Sequence, residues 1–191
     1  MSLPRKVLVF CTQYKDDKND MRREGQKIKN ILQANKIDCV YNPQPTLLDL
    51  QQEVRRASSD TSVIGVHFIG HGTEEGLYFV SDDGKQPELV ESSSLMQLIR
   101  GSSSIEFGLV NACNSEGLGR ELRSGGMKHV SCWRGSVHDT VAVRFSDQFY
   151  KTVIEKPGDY QGAFEQARWS TEAGWHSVLF LHGRQHPDTP R

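Results

Sequence analysis

No apolar run in this 191-residue chain approaches the roughly 20 residues that a membrane-spanning helix needs. The opening stretch MSLPRKVLVFC carries an apolar segment too short for a secretory leader. Both shortages lead us to expect a soluble, cytoplasmic protein. Charge of one sign is also lacking: 23 Lys and Arg stand against 24 Asp and Glu, interspersed, so nothing builds the basic stripe that holds a nucleic-acid backbone. Neither nucleic acid nor a membrane is an expected partner. Cysteine is sparse. Cys11, Cys39, Cys113 and Cys132 lie far apart without a C-x-x-C pair, which excludes a dense disulfide scaffold and leaves free thiols. No glycine loop opens a helix after the first strand, which argues against a nucleotide- or phosphate-binding α/β domain. Internal repeats and low-complexity tracts are missing too.

What is present suits one compact core. Residues 36% hydrophobic and 25% charged are enough to build a single domain. We expect it to span 1–183, followed by a flexible tail at 184–191 in which His186, Pro187 and Pro190 fray, with His182 beside it. Lys6 to Thr12 is a β-branched apolar run suited to a strand covered on both faces. From Met21 to Asn35, Ile28, Ile31 and Leu32 recur at helical spacing among polar residues. Ile37 to Tyr41 is a second strand, cut off by NPQP. Thr46 is placed to cap a helix carrying Leu47, Leu50 and Val54 on one face. VIGVHFIG follows as a strand, then a hairpin in GLYFVSDDGK turning at Asp83-Gly84, and a helix near Ser94 to Arg100. Ile105 to Ala112 is the next buried strand, Leu118 to Ser124 a helix, HVSCW a strand, and Asp139 to Glu155 a long helix. A helix within Gln161 to Ala173 and the strand SVLFLHG close the chain. This alternation predicts a three-layer α/β/α sandwich around a mostly parallel sheet of about six strands.

That architecture gives one feature its interest. VIGVHFIGHG, residues 63–72, is an apolar strand that stops with an imidazole held between two glycines. In an open parallel sheet, ligands sit outside the carboxyl ends of the strands, where His71 stands. Cys113 stands at the corresponding end of IEFGLVNAC. If the two strands are neighbours, the side chains meet at one edge, and a thiol beside an imidazole is a pair that nucleophilic catalysis uses. The amide of Gly72, paired with that of Cys113, offers an oxyanion hole. Read from the residues alone, Cys113 is equally a small buried hydrophobe at a strand end, and Gly70-His71-Gly72 a tight turn.

GVHFIGHG, followed about 42 residues after its histidine by LVNACNS, resembles the caspase-like cysteine peptidase superfamily of clan CD. The form Asn111-Ala112-Cys113-Asn114-Ser115 departs from the caspase Q-A-C-x-G pattern and is closer to the CHAT domain. SCWRGSVHDTVAVRFSDQFYKTV, GDYQGAFEQAR and WHSVLFLHG are similar to successive CHAT segments, so the likeness covers most of the chain. It implies a caspase-like fold, His71 as general base and acid, Cys113 as nucleophile, and the Gly72 and Cys113 N–H groups as oxyanion donors. The implied activity is cysteine endopeptidase hydrolysis of a polypeptide through a thioester. Asp139 matches an acidic position that separases place near the cleft, which implies a preference for a basic P1 residue, although an Asp just ahead of a helix is more often an N-cap. Between Trp133 and Val137 this chain carries two residues more than the CHAT pattern. Asn111 and Trp133 join Asp139 as candidate substrate-binding residues, Trp133 at a strand end being placed either to line the cleft or to fill the core.

Other candidates are weaker. Asp16 and Asp17 are rival pocket carboxylates or solvated loop charges. His67 and His71 have H-x-x-x-H spacing, but four residues along a strand separate them by roughly 13 Å, too far for one metal. Neither a metal nor a cofactor is expected. Trp169 and Trp175 read as core, and Cys132 as packing or as a resolving thiol for Cys113. The expected partners are a polypeptide substrate and an activating or regulatory protein. The alternative from another class is a catalytically silent caspase-like module kept for signalling or assembly.

Overall fold

A computed structural model of the chain describes residues 5–12, 21–83, 86–171 and 177–182. Strands β1 (Lys6–Thr12), β2 (Asp38–Asn42), β3 (Val63–Gly70), β6 (Phe107–Asn111), β7 (His129–Trp133) and β8 (Val178–His182) form one sheet in the order β2-β1-β3-β6-β7-β8. All its pairings are parallel except that of β7 with β8. β4 (Gly76–Val80) and β5 (Pro87–Glu91) make a separate antiparallel hairpin. The fold is the expected α/β sandwich with a mostly parallel six-stranded sheet.

Alternation along the strands sends side chains to two cores. Leu8, Phe10, Val66, Phe68, Val110 and Val130 face one way, against α2 (Leu47–Ser59), α3 (Ser92–Ile99) and α4 (Glu116–Ser124). Val7, Val9, Ile69, Phe107, Leu109 and Trp133 face the other, against α1 (Met21–Ala34), α5 (Asp139–Glu155) and α6 (Tyr160–Ser170). The first core is mostly aliphatic. The second is aromatic, with Phe107, Phe145, Phe149, Tyr150 and Phe164 in mutual edge and stacked contacts.

Local chemistry accounts for several boundaries. Thr46 caps α2 through a capping box, its Oγ1 accepting from the Asp49 N–H at 3.1 Å while the Thr46 N–H donates to Asp49 Oδ2 at 3.0 Å. The hairpin reaches further than GLYFVSDDGK, since its second strand is PELVE; Gly84 lies outside the described residues. Asp139 is not the cap of α5. His138 holds that position, its Nδ1 accepting from the Thr140 N–H, and Asp139 is the exposed first helical residue. His182 ends β8 opposite His129, with its ring stacked on Phe180, rather than fraying. Asp16, Asp17, Trp175, His186 and the expected tail at 184–191 lie outside the described residues.

Candidate active site

β3 and β6 are parallel neighbours, with Ile69 opposite Asn111. Two residues on, His71 and Cys113 therefore leave adjacent strand ends at the same edge of the sheet, both half-buried. The glycines around His71 have different causes. A Cβ on Gly70 would overlap the Oγ1 of Thr12, the last residue of β1. A Cβ on Gly72 would lie 2.6 Å from the Cys113 carbonyl oxygen and 3.0 Å from the Ala112 Cβ. Only glycine lets this backbone lie directly on the turn that carries the thiol.

The orientation of Gly72 follows from its pairing. It opposes Leu77 in an antiparallel bridge whose hydrogen bonds come from the flanking residues, Tyr78 N–H to His71 C=O at 3.0 Å and Thr73 N–H to Gly76 C=O at 2.9 Å. In such a non-hydrogen-bonded pair the residue's own N–H points away from its partner. The Gly72 amide is directed away from the hairpin.

Cys113 sits where β6 turns into α4. Asn114 adopts a left-handed conformation (φ 52°), which asparagine tolerates better than most residues, and its N–H donates to the Gly135 carbonyl at 2.8 Å. Gly135 itself has φ 128°. Below the turn, fully buried Ser115 accepts from the Trp133 N–H at 3.0 Å and donates to the Val110 carbonyl at 3.4 Å, tying β7 to the turn. The Val137 N–H reaches Cys113 Sγ at 3.4 Å, and the thiol lies 3.8 Å from the Val137 carbonyl. The 134–138 segment, with Asp139 at its end, is thus seated beside the sulfur.

Asn111 and Trp133 turn inward. Asn111 is 4% and Trp133 1% exposed. The indole Nε1–H donates to Asn111 Oδ1 at 2.9 Å, and Asn111 Nδ2 donates to Glu24 Oε1 at 2.6 Å and to the Ala142 carbonyl at 3.1 Å. Sequence reasoning missed Glu24, a buried carboxylate on α1. His67 is also fully buried, its Nε2 3.4 Å from Glu24 Oε1 without hydrogen-bond alignment. These polar groups form a buried network under the strand ends.

The remaining thiols are packing groups. Cys132 is buried in the first core against Gly119, and burial, with the Glu116 charge, pushes its thiol up to about 12. Burial does the same to Cys39. A thiol held protonated is a poor resolving nucleophile. On the other side of Cys113, a hollow of roughly 380 Å³ is lined by Glu74, Asn114, Glu116, Arg120 and Arg134. Arg134 and Arg120 hydrogen-bond Glu116 and hold its carboxyl down at about 2. A hollow of roughly 310 Å³ between the ends of α3 and α4 lies at the opposite edge of the sheet.

A mostly parallel six-stranded sheet in this order, with helices on both faces, is the caspase-like fold. The CHAT domain model matches residues 9–175, and the chain belongs to the CHAT domain family. The structure is similar to the Arg specific cysteine proteinase gingipain R (RGPB), with TM-score 0.60 and 13% identity over 87% of this chain and 41% of that one. It is also similar to a secreted C11 cysteine protease from Bacteroides thetaiotaomicron solved with an irreversible peptide inhibitor, with TM-score 0.62 and 12% identity over 94% of this chain and 66% of that one. The chain thus spans under half of the first relative and about two thirds of the second. A search of curated proteins found no match. Among the described residues no helix is long and apolar enough to cross a membrane.

Proposed function

We propose that this domain is a cysteine endopeptidase in which Cys113 is the nucleophile and His71 the general base and acid. The observation that carries the reading is the β3–β6 register, which sets His71 and Cys113 at neighbouring strand ends with the Gly72 backbone against the Cys113 turn. The Cys113 thiol gives its proton to His71 and attacks the scissile carbonyl carbon. The oxyanion is received by the N–H groups of Gly72 and Cys113. Collapse breaks the C–N bond, and His71 returns the proton to the departing amine. Water, deprotonated by His71, then attacks the thioester, releasing the carboxylate and restoring the thiol.

A basic P1 residue fits the same site. Asp139 is exposed two residues beyond Val137, whose backbone touches Cys113 Sγ, so its carboxylate is available to a guanidinium or ammonium entering beside the sulfur. The macromolecular partners are a polypeptide substrate and a regulatory protein. One observation favours a second reading, a silent signalling or assembly module: Val137 engages the sulfur through both its N–H and its carbonyl.

The test incubates wild type, Cys113→Ala and His71→Ala with fluorogenic peptides bearing Arg, Lys, Leu or Asp at P1, and with a thiol-reactive acyl probe. Cleavage after Arg or Lys is expected in wild type only, with probe labelling confined to Cys113. Absence of both cleavage and selective labelling in wild type, with and without candidate activators, defeats the peptidase reading.

A further inference from the structure

We propose that the backbone N–H of Val137 is a donor that stabilises the Cys113 thiolate, and that Ser115 is the positioning residue that keeps this N–H at the sulfur. The Val137 N–H reaches Cys113 Sγ at 3.4 Å, and the Val137 carbonyl lies 3.8 Å from the same atom. One residue therefore meets the sulfur in both of its protonation states. A thiol donates only weakly to the carbonyl, whereas a thiolate accepts a charge-assisted bond from the N–H, so the two contacts together favour the charged form. The amide does not titrate. Its effect depends on where residue 137 is held.

Ser115 gives up a local role to hold it. It stands at the N-cap of α4, where a serine hydroxyl ordinarily accepts from the first turn, yet it makes no capping hydrogen bond. Its fully buried hydroxyl instead accepts from the Trp133 N–H at 3.0 Å, which fixes the last residue of β7 against the Cys113 turn. Three further anchors lie between there and the sulfur. The Arg134 N–H donates to the Ser177 carbonyl at 2.7 Å, the Asn114 N–H donates to the Gly135 carbonyl at 2.8 Å, and the Val137 side chain packs against the second core. His138 then caps α5. A donor fixed in this way needs no reorganisation when charge develops on the sulfur.

The titratable groups on the elements around the sulfur are His71 and Glu74 beyond β3, Glu116 on α4, and Arg134, His138 and Asp139 on either side of Val137. Arg134 is engaged with Glu116, and the His138 ring with Thr140. His71 takes the thiol proton under the peptidase reading, while the Val137 amide acts whether that imidazole is charged or neutral. The consequence for catalysis rests on the peptidase reading. The hold on the thiolate does not.

The test follows iodoacetamide alkylation of Cys113 by mass mapping in the full chain. It compares wild type with Ser115→Ala, with Val137→Pro, which removes the N–H, and with Ser136→Ala, an exposed change in the same segment. At about pH 7, Ser115→Ala and Val137→Pro should react at least about fivefold more slowly than wild type. At about pH 9.5, where an ordinary thiol is largely ionised, all four should agree within about twofold. Ser136→Ala should follow wild type throughout. The two variants remove one contact from opposite ends, so either one that folds decides the matter. Equal rates at neutral pH, a slowing that persists at high pH, or the rise at both pH values that a packing defect alone would give overturns the proposal. Where peptides are cleaved, Ser115→Ala should lower kcat and leave KM within about twofold. Cleavage with alkylation rates indifferent to the variants removes this proposal and leaves the peptidase reading standing; slowing confined to neutral pH without cleavage does the reverse.

Discussion

Asn111→Ala is expected to destabilise the protein by about 3–5 kcal/mol, because it opens the buried network beneath the strand ends. The Asn111 side chain closes three bonds: Nδ2 to Glu24 Oε1 at 2.6 Å, Nδ2 to the Ala142 carbonyl at 3.1 Å, and Oδ1 from Trp133 Nε1 at 2.9 Å. A bond to a charged group contributes roughly 1.5–3 kcal/mol and each neutral one about 1. Truncation also leaves the Glu24 carboxylate, 3% exposed, with only the imperfectly aligned His67 Nε2 beside it at 3.4 Å. Urea unfolding at neutral pH measures the loss, and a domain of this size should melt about 10 °C lower. Glu24→Gln keeps an acceptor for Asn111 and removes the charge. In that background Asn111→Ala should cost about half as much, since no orphaned carboxylate remains. A loss below about 1 kcal/mol, or equal losses in the two backgrounds, refutes the argument.

Other consequences are open to direct measurement. Iodoacetamide at pH 8 should alkylate Cys113 well before Cys132 or Cys39 in the native protein, because burial holds those two thiols up at about 12 and keeps them protonated; mass mapping that finds Cys132 modified first contradicts this. Gly72→Ala should cost about 1–3 kcal/mol through its clash with the Cys113 carbonyl, and should reduce any cleavage more than it reduces substrate affinity. His138→Ala should lower stability by about 0.5–2 kcal/mol as α5 loses its cap, with His138→Asn recovering most of it in thermal melts. The Glu116 carboxyl is held down at about 2 from its ordinary 4.5. Its contribution is complete above pH 4.5 and is lost as pH falls towards 2, so Arg134→Gln should flatten that acid limb only slightly, because solvent screens the exposed partners.

Much of the scaffold was legible because its causes are local. The bounds of β1 and α5 and the Thr46 cap depend on short-range periodicity and turn chemistry, and they match. The pattern could not say that β3 and β6 are neighbours, since the β4–β5 hairpin and α3 separate them in the chain. β5 was hidden by its Pro87 and two glutamates, which suit a short strand paired on one side only. Glu24 reads as part of a solvated helix face; partners from β3 and β6 bury it, and no local signal names them. His138 escaped because imidazole is an unusual cap. Glu74–Glu75, Glu91 and Glu121 line one hollow from three separate places along the chain, so their convergence belongs to the tertiary structure alone.

The indole of Trp133 also makes the cleft visible to light. It lies 1% exposed against the Phe145 ring, while Trp169 is 60% exposed, so these two of the three tryptophans emit from contrasting surroundings. The Trp133 N–H rests on Asn111, two residues before the sulfur, and its backbone amide on Ser115, two residues after. Under the proposed peptidase reading, acylation of Cys113 should strain this turn and alter the blue-shifted share of the emission. A stopped-flow fluorimeter would then time the proposed covalent step with no added dye.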